Sequence, residues 1–171
     1  EFRRVLFRSC QANVTGDEIG SSSLEFQPGP VQAGEYRFAV GTAGSATLVL
    51  QTVLPPLLIA PGPSRLVLEG GTHNPWAPPF DFLQQVYLPL VNRMGPRVTA
   101  TLERAGFYPA GGGRFVVEIT PATAGSEHDF GLSGFDLLER GNVLSKKGRV
   151  LIANLPDHIA DRELKELARL A

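Results

Sequence analysis

The sequence predicts an α/β (α+β) protein built from β-α-β-α-β-β units, with helices on one face of a mixed four-stranded sheet. Three observations lead there. Short segments alternate apolar and polar residues with a period of two, while two others repeat apolar residues at helical spacing. Between residues 36 and 119 these fall in the order strand, helix, strand, helix, strand, strand. Glycine-rich and proline-rich bends, from 19 glycines and 14 prolines, separate them.

Taken in order, "EFRRVLFRS" (1–9) carries positive charge but no following apolar core or cleavage site, so it is no signal peptide and reads as a non-native scar. "ANVTG" (12–16) and "SLEFQ" (23–27) alternate as two short strands, and "YRFAV" (36–40) as a third. "GTAGS" (41–45) breaks the pattern. From Ser45 the spacing turns helical, with Leu50, Val53, Leu54, Leu57 and Leu58 on one face. Ser45 or Thr47 can cap this helix, and Pro55 should kink it by removing a hydrogen bond. "RLVLE" (65–69) is a strand. A helix is expected over 79–94, with Phe80, Leu83, Val86, Tyr87, Leu90 and Met94 as its buried stripe. "RVTATLE" (97–103), the turn "GFYPAGGG" (106–113) and "RFVVEI" (114–119) make a hairpin. It resembles the one at 12–27, a sign of internal repetition in which the first hairpin closes a unit whose start is missing.

Residues 10–123 therefore read as a partial large domain and 124–136 as a polar linker. Residues 137–171 read as the truncated start of a small inserted α/β domain: strands "LLERG" and "RVLIANL" (149–155), then a helix over 157–171 capped by Asp157. Missing sheet partners should leave edges and apolar faces exposed and the isolated chain poorly soluble.

The bulk properties exclude several classes. With 43% hydrophobic residues, 19% charged residues and a net charge of −1, the chain lacks the broad basic surface of a general nucleic-acid binder, although these figures leave room for a local basic cleft. Cys10 is the sole cysteine, so there is neither a disulfide framework nor a cysteine-based zinc cluster, and a reducing compartment suits it. The longest apolar stretch, "TLVLQTVLPPLLIA" (47–60), is too short and too proline-interrupted to span a membrane.

Three glycine-rich turns could carry chemistry: "GTAGS", "GGTHNPWAPP" and "YPAGGG". None fits the Walker or G-x-G-x-x-G patterns. In "HNPWAPPFDF" the prolines at 75, 78 and 79 offer rigid apolar faces beside Trp76, Phe80 and Phe82. Such surfaces suit a purine ring, with an amide such as Gln51 reading its edge. An equally good reading makes Phe80 core and the prolines a preset helix start. His73, His128 and His158 have no metal-ligand spacing and read as solvated. Arg104 and Arg114 flank Gly111, Gly112 and Gly113, which would cradle a nucleic-acid phosphate or simply sit on exposed strand ends. No Ser-His-Asp set or carboxylate pair is evident.

Four stretches in order, "YRFAVGTAGSATLVLQTVLPPLL", "GGTHNPWAPPFDFLQQVYLPLVNRMG", "LERAGFYPAGGGRFVVEI" and "LLERG", closely resemble the RNA 3′-terminal phosphate cyclases over residues 10–171. The resemblance implies an ATP-dependent ligase acting on RNA 3′-phosphate ends in the cytoplasm. A histidine would take AMP from ATP, AMP would pass to the RNA 3′-phosphate, and the neighbouring 2′-OH would displace it to leave a 2′,3′-cyclic phosphate. A divalent metal, Mg or Mn, would assist the first step. It also implies a large domain of repeated β-α-β-α-β-β units with a small inserted α/β domain. Gln51 would contact the adenine, and Pro78 and Phe82 would line its pocket. RNA phosphate contact through Arg104 and Gly111, Gly112 and Gly113 is the expectation for the third turn. The family's "EGGGQ-I-R" segment has no counterpart here, and its histidine nucleophile lies beyond Ala171, so this chain should itself be inactive. The alternative is the family's non-catalytic branch of ribosome-biogenesis scaffolds. An enolpyruvyl-transferase relative comes third, since the basic cleft for its small-molecule substrate is not evident.

Overall fold

Four strands of one sheet and the two helices that cross it set the positions of every candidate residue. The computed structural model describes residues 10–41, 44–122 and 131–170 and divides the chain into two units, at Phe135/Asp136. In the first unit, β1 (Asn13–Thr15) and β2 (Glu25–Gln27) form a separate antiparallel ribbon. The main sheet comprises β3 (Glu35–Ala39), β4 (Ser64–Gly70), β5 (Arg97–Arg104) and β6 (Gly113–Thr120), in spatial order β3-β4-β6-β5. β3 runs parallel to β4, and the β4–β6 and β6–β5 pairs are antiparallel. The mixed four-stranded sheet expected from the sequence is therefore present. A parallel pair needs a crossover, and helix α1 (Ala46–Leu58) supplies it.

Side chains alternate across the sheet, so one face collects Phe38, Leu66, Leu68, Phe115, Val117, Ile119, Val98 and Ala100, all buried in the core. α1 packs Val49, Leu50, Val53, Leu54 and Leu57 into the same cluster, with at most 1% of each exposed. Each contributes roughly 1.5–3 kcal/mol by leaving water. Ser45 caps α1, its Oγ accepting from the Leu48 amide at 3.2 Å, and Thr47 instead hydrogen-bonds to that cap at 2.7 Å. The helix continues through Pro55 and Pro56 to Leu58. Each proline removes only one intrahelical donor within the last turn, and the buried leucines hold the rest in place.

The second helix departs from the even 79–94 helix the sequence suggests. α2 is α-helical over Phe80–Phe82, π-helical over Leu83–Tyr87 and α-helical again over Leu88–Asn92. Pro89 explains the bulge. Its nitrogen has no proton for the carbonyl four residues back, and a wider turn, with Leu88 N–H donating to the Leu83 carbonyl, absorbs the lost bond. The extra residue per turn rotates the apolar stripe. Val86, expected inside, is 46% exposed, while Leu88 and Val91 are buried in its stead. Two polar side chains of α2 then hold edge strand β5: Gln84 Nε2 donates to the Ala100 carbonyl (2.9 Å), and the Asn92 amide brackets Val98 (2.7 and 2.9 Å).

The opposite face of the sheet carries charged side chains as well as the buried Val67 and Val116. Arg37 on β3 donates to Glu69 on β4 at 3.0–3.2 Å, Arg114 on β6 donates to the same carboxylate at 2.9 Å, and Arg114 also donates to Glu103 on β5 at 2.5 Å. The Arg37 guanidinium holds the Glu69 carboxyl below the usual range, helped by Arg114 and opposed by partial burial. At an open surface each pair is worth about 1 kcal/mol or less.

The second unit contains helix α3 (Asp157–Leu170). Asp157 is its first helical residue rather than the residue before it. The strands expected at "LLERG" and "RVLIANL" are not formed: residues 132–152 are irregular, with Leu138 and Leu144 89% and 95% exposed. Alternation makes a strand only where a ladder partner exists, and no strand pairs within this unit's described residues. Residues 1–9, 42–43, 123–130 and 171, which take in the expected scar, part of "GTAGS", most of the linker and His128, lie outside the described residues.

At one end of β4 the backbone passes very close to itself. A Cβ on Gly106 would lie 2.3 Å from the Gly113 nitrogen and 2.6 Å from the Gly70 oxygen; one on Gly113 would lie 2.7 Å from that same oxygen. Gly70 also has φ +153°. Gly106→Ala should therefore destabilise the fold by about 3 kcal/mol, since backbone must move apart to admit the methyl. Chemical denaturation checks this, with Ala105→Ser at the preceding, exposed position as a control that should leave stability unchanged.

Candidate functional site

The glycine crossing leads directly into the turn with the prolines. After β4, Gly71 accepts from the Ala46 amide (2.9 Å) and donates to the Gly44 carbonyl (2.8 Å), tying the turn's base to the start of α1. The Thr72 and His73 amides both donate to the Gly106 carbonyl, at 2.9 and 3.1 Å. Phe80 N–H then donates to the Thr72 carbonyl (2.9 Å), closing residues 73–79 into a loop. Pro75, Pro78 and Pro79 stiffen that loop by fixing φ.

In "HNPWAPPFDF" the packing reading holds for two residues. Phe80 is core: it is 2% exposed and packs on Phe115 with ring centroids 5.3 Å apart. Pro79 presets the helix start as its N-cap, at φ −67° and ψ 156°. Pro78 is half-buried, and Phe82 and Trp76 are 43% and 94% exposed, so these three remain in contact with solvent. Gln51 is half-buried on α1, five residues beyond the amide tied to Gly71 and so about 7.5 Å farther along the axis. Gln51 and the proline turn thus share an anchor at the end of β4.

The third turn is held to the same place. Gly111 N–H donates to the Phe107 carbonyl (2.7 Å), Gly111 and Gly112 both have φ +70°, and Arg104 Nε donates to the Gly112 carbonyl at 2.5 Å. Arg104 and Gly112 are exposed at this corner and Gly111 is half-buried. Gly113 differs, because packing against Gly70, Gly106 and Thr72 accounts for its missing side chain. Arg114 binds Glu69 and Glu103 on the charge-bearing face of the sheet.

His73 is the residue that the sequence reading misplaced. It is not solvated: its side chain is 11% exposed, Nε2 lies 2.9 Å from Asp81 Oδ2, Nδ1 lies 2.8 Å from Thr72 Oγ1, and the ring stacks on Phe107 at 5.3 Å. Thr72 is 1% exposed, and its hydroxyl also accepts from the Gly106 amide at 2.9 Å. His73 and Asp81 flank an irregular proline-rich loop rather than sharing one helix or strand, so spacing could not have paired them. The prolines between them, which fold the chain back, were the available signal. Among the described residues no three His, Cys, Asp or Glu side chains cluster to hold a metal, and no helix is long and apolar enough to cross a membrane.

The profile of the RNA 3′-terminal phosphate cyclases matches residues 2–162. The chain is 54% identical over 159 residues to an RNA 3′-terminal phosphate cyclase of Koribacter versatilis, covering 93% of this chain and 43% of the relative. It is 53% identical over 158 residues to one of Pseudomonas fluorescens, covering 92% and 44%. The chain therefore spans less than half the length of these curated relatives.

Thr72 offers a test of the site's construction. Thr72→Val keeps the shape but removes the acceptor for the buried Gly106 amide and the partner of His73. It should cost about 1–3 kcal/mol in denaturation experiments, and Thr72→Ser should recover most of that.

Proposed function

The chain belongs to the RNA 3′-terminal phosphate cyclase family, and on that premise we propose that it is part of an ATP-dependent enzyme that closes RNA 3′-phosphate ends to 2′,3′-cyclic phosphates. In this reading the segment supplies one wall of the nucleotide pocket. The observation that carries it is the pinned loop at 73–79, which buries Phe80 but leaves Pro78 and Phe82 accessible, its base tied through Gly71 to the start of the helix bearing Gln51.

An adenine gains most from flat apolar contact on its faces and from a few hydrogen bonds at its edge. Pro78 and Phe82 provide the first, and the Gln51 amide, with both donor and acceptor atoms, suits the second. Because the loop is closed by backbone bonds before any ligand arrives, little ordering entropy is lost on binding.

Arg104 and the left-handed Gly111–Gly112 corner suit a phosphate of the RNA end: a guanidinium held by its own loop presents its remaining N–H groups outward, next to backbone free of side chains. A divalent cation would neutralise charge on the triphosphate, and among the described residues no cluster of three His, Cys, Asp or Glu side chains would hold it. This reading also calls for a nucleophilic histidine. His73, bound to Thr72 and Asp81, is not available as that nucleophile.

Incubating the full-length protein with ATP labelled in the α-phosphate should give acid-labile nucleotidylated protein. Gln51→Ala should weaken ATP binding by about 1–3 kcal/mol. Unlabelled protein would favour the non-catalytic scaffold branch, and unchanged ATP affinity would remove Gln51 from the pocket.

A further inference from the structure

The His73–Asp81 pair lies just outside the proposed adenine wall, and nothing in the chemistry above uses it. Its placement is specific. His73 opens the loop that carries Pro78, and Asp81 closes it, one residue before Phe82. Two cross-links therefore span the loop's base: the backbone bond from Phe80 N–H to the Thr72 carbonyl, and the side-chain contact of 2.9 Å between His73 Nε2 and Asp81 Oδ2. The backbone bond alone is a single hinge. A second link, one residue farther along at each end, removes the rotation about it.

The imidazole is itself fixed on three sides. Its ring lies on Phe107, Nδ1 meets the Thr72 hydroxyl, and the His73 amide bonds to the Gly106 carbonyl. The Thr72 hydroxyl proton can go to Nδ1 at 2.8 Å or to the Gly106 carbonyl at 3.4 Å. The shorter contact assigns it to Nδ1, which makes Nε2–H the donor to Asp81. Asp81 also sits in the first turn of α2, so the carboxylate orients the segment bearing Phe82.

We propose that His73 and Asp81 are positioning residues for the nucleotide base: their contact sets Pro78 and Phe82 against the adenine without touching it. This rests on the adenine-wall reading above. Its specific consequence is that losing the contact weakens recognition of the base and leaves recognition of the triphosphate intact.

The experiment uses the full-length protein and two histidine variants that separate the ring nitrogens. His73→Gln keeps a donor near the position of Nε2 and can still reach Asp81. His73→Asn keeps only an amide near the position of Nδ1. Asp81→Ala removes the acceptor. The ATP concentration for half-maximal nucleotidylation should rise roughly tenfold for His73→Asn and Asp81→Ala, with the maximal rate little changed, while His73→Gln stays within roughly threefold of the parent. Competition by inorganic tripolyphosphate, which has no base, should be the same for all. Equal losses toward ATP and tripolyphosphate would make the pair a general fold contact and overturn the inference. So would full ATP affinity in His73→Asn and Asp81→Ala when Gln51→Ala is impaired. If Gln51→Ala and Phe82→Ala also bind ATP normally, the adenine-wall reading itself falls, and the inference with it.

Discussion

The structure depends most on a place where backbone touches backbone. Gly106 and Gly113 bring the loop after β5 and the start of β6 so near each other and the Gly70 carbonyl at the end of β4 that no Cβ fits on either. Closeness of this kind lets amides and carbonyls of separate loops bond directly. Gly71 reaches the start of α1, and Thr72 and His73 reach Gly106. Three loops that would otherwise move independently are joined in one hydrogen-bonded corner, and the candidate residues hang from it.

From that corner the packing divides the turn into a buried half and an accessible half. Phe80 goes inward to Phe115 and fixes α2 on the sheet. Pro78 and Phe82, on either side of it, keep contact with solvent because their neighbour has taken the core position. Pro89 extends the same logic down the helix. The π turn it forces swings Val86 outward and Leu88 inward, so α2 still buries a continuous stripe. On the far face of the sheet, the Arg37–Glu69–Arg114–Glu103 chain ties all four strands without contributing to the turn.

How much of this was readable beforehand follows from the range of each interaction. β3, β4, β5 and β6 were legible because alternation records which face each residue takes, and α1 because leucines at helical spacing record one buried stripe. Ser45 was legible as a cap because capping acts over three residues. The bulge in α2 was not read, although Pro89 was in plain view, since apolar spacing alone assumes a regular turn. "LLERG" and "RVLIANL" have the right alternation and form no strand, for alternation says nothing about whether a partner lies beside it. His73 went unread for a related reason: its partners Asp81, Thr72 and Phe107 meet it only after the chain has turned at the prolines and the loop after β5 has docked. The glycines were visible as turn formers, but their closeness to each other was not.

Native-state hydrogen exchange tests most directly whether the corner exists before any nucleotide binds. The amides of Thr72, His73 and Phe80, although outside regular strands, should exchange as slowly in the ligand-free protein as those paired between β4 and β6, because they open only when the glycine contact does. Exchange at the rate of an open surface loop, with protection appearing only on addition of ATP, would show that the ligand rather than the glycine contact builds the turn.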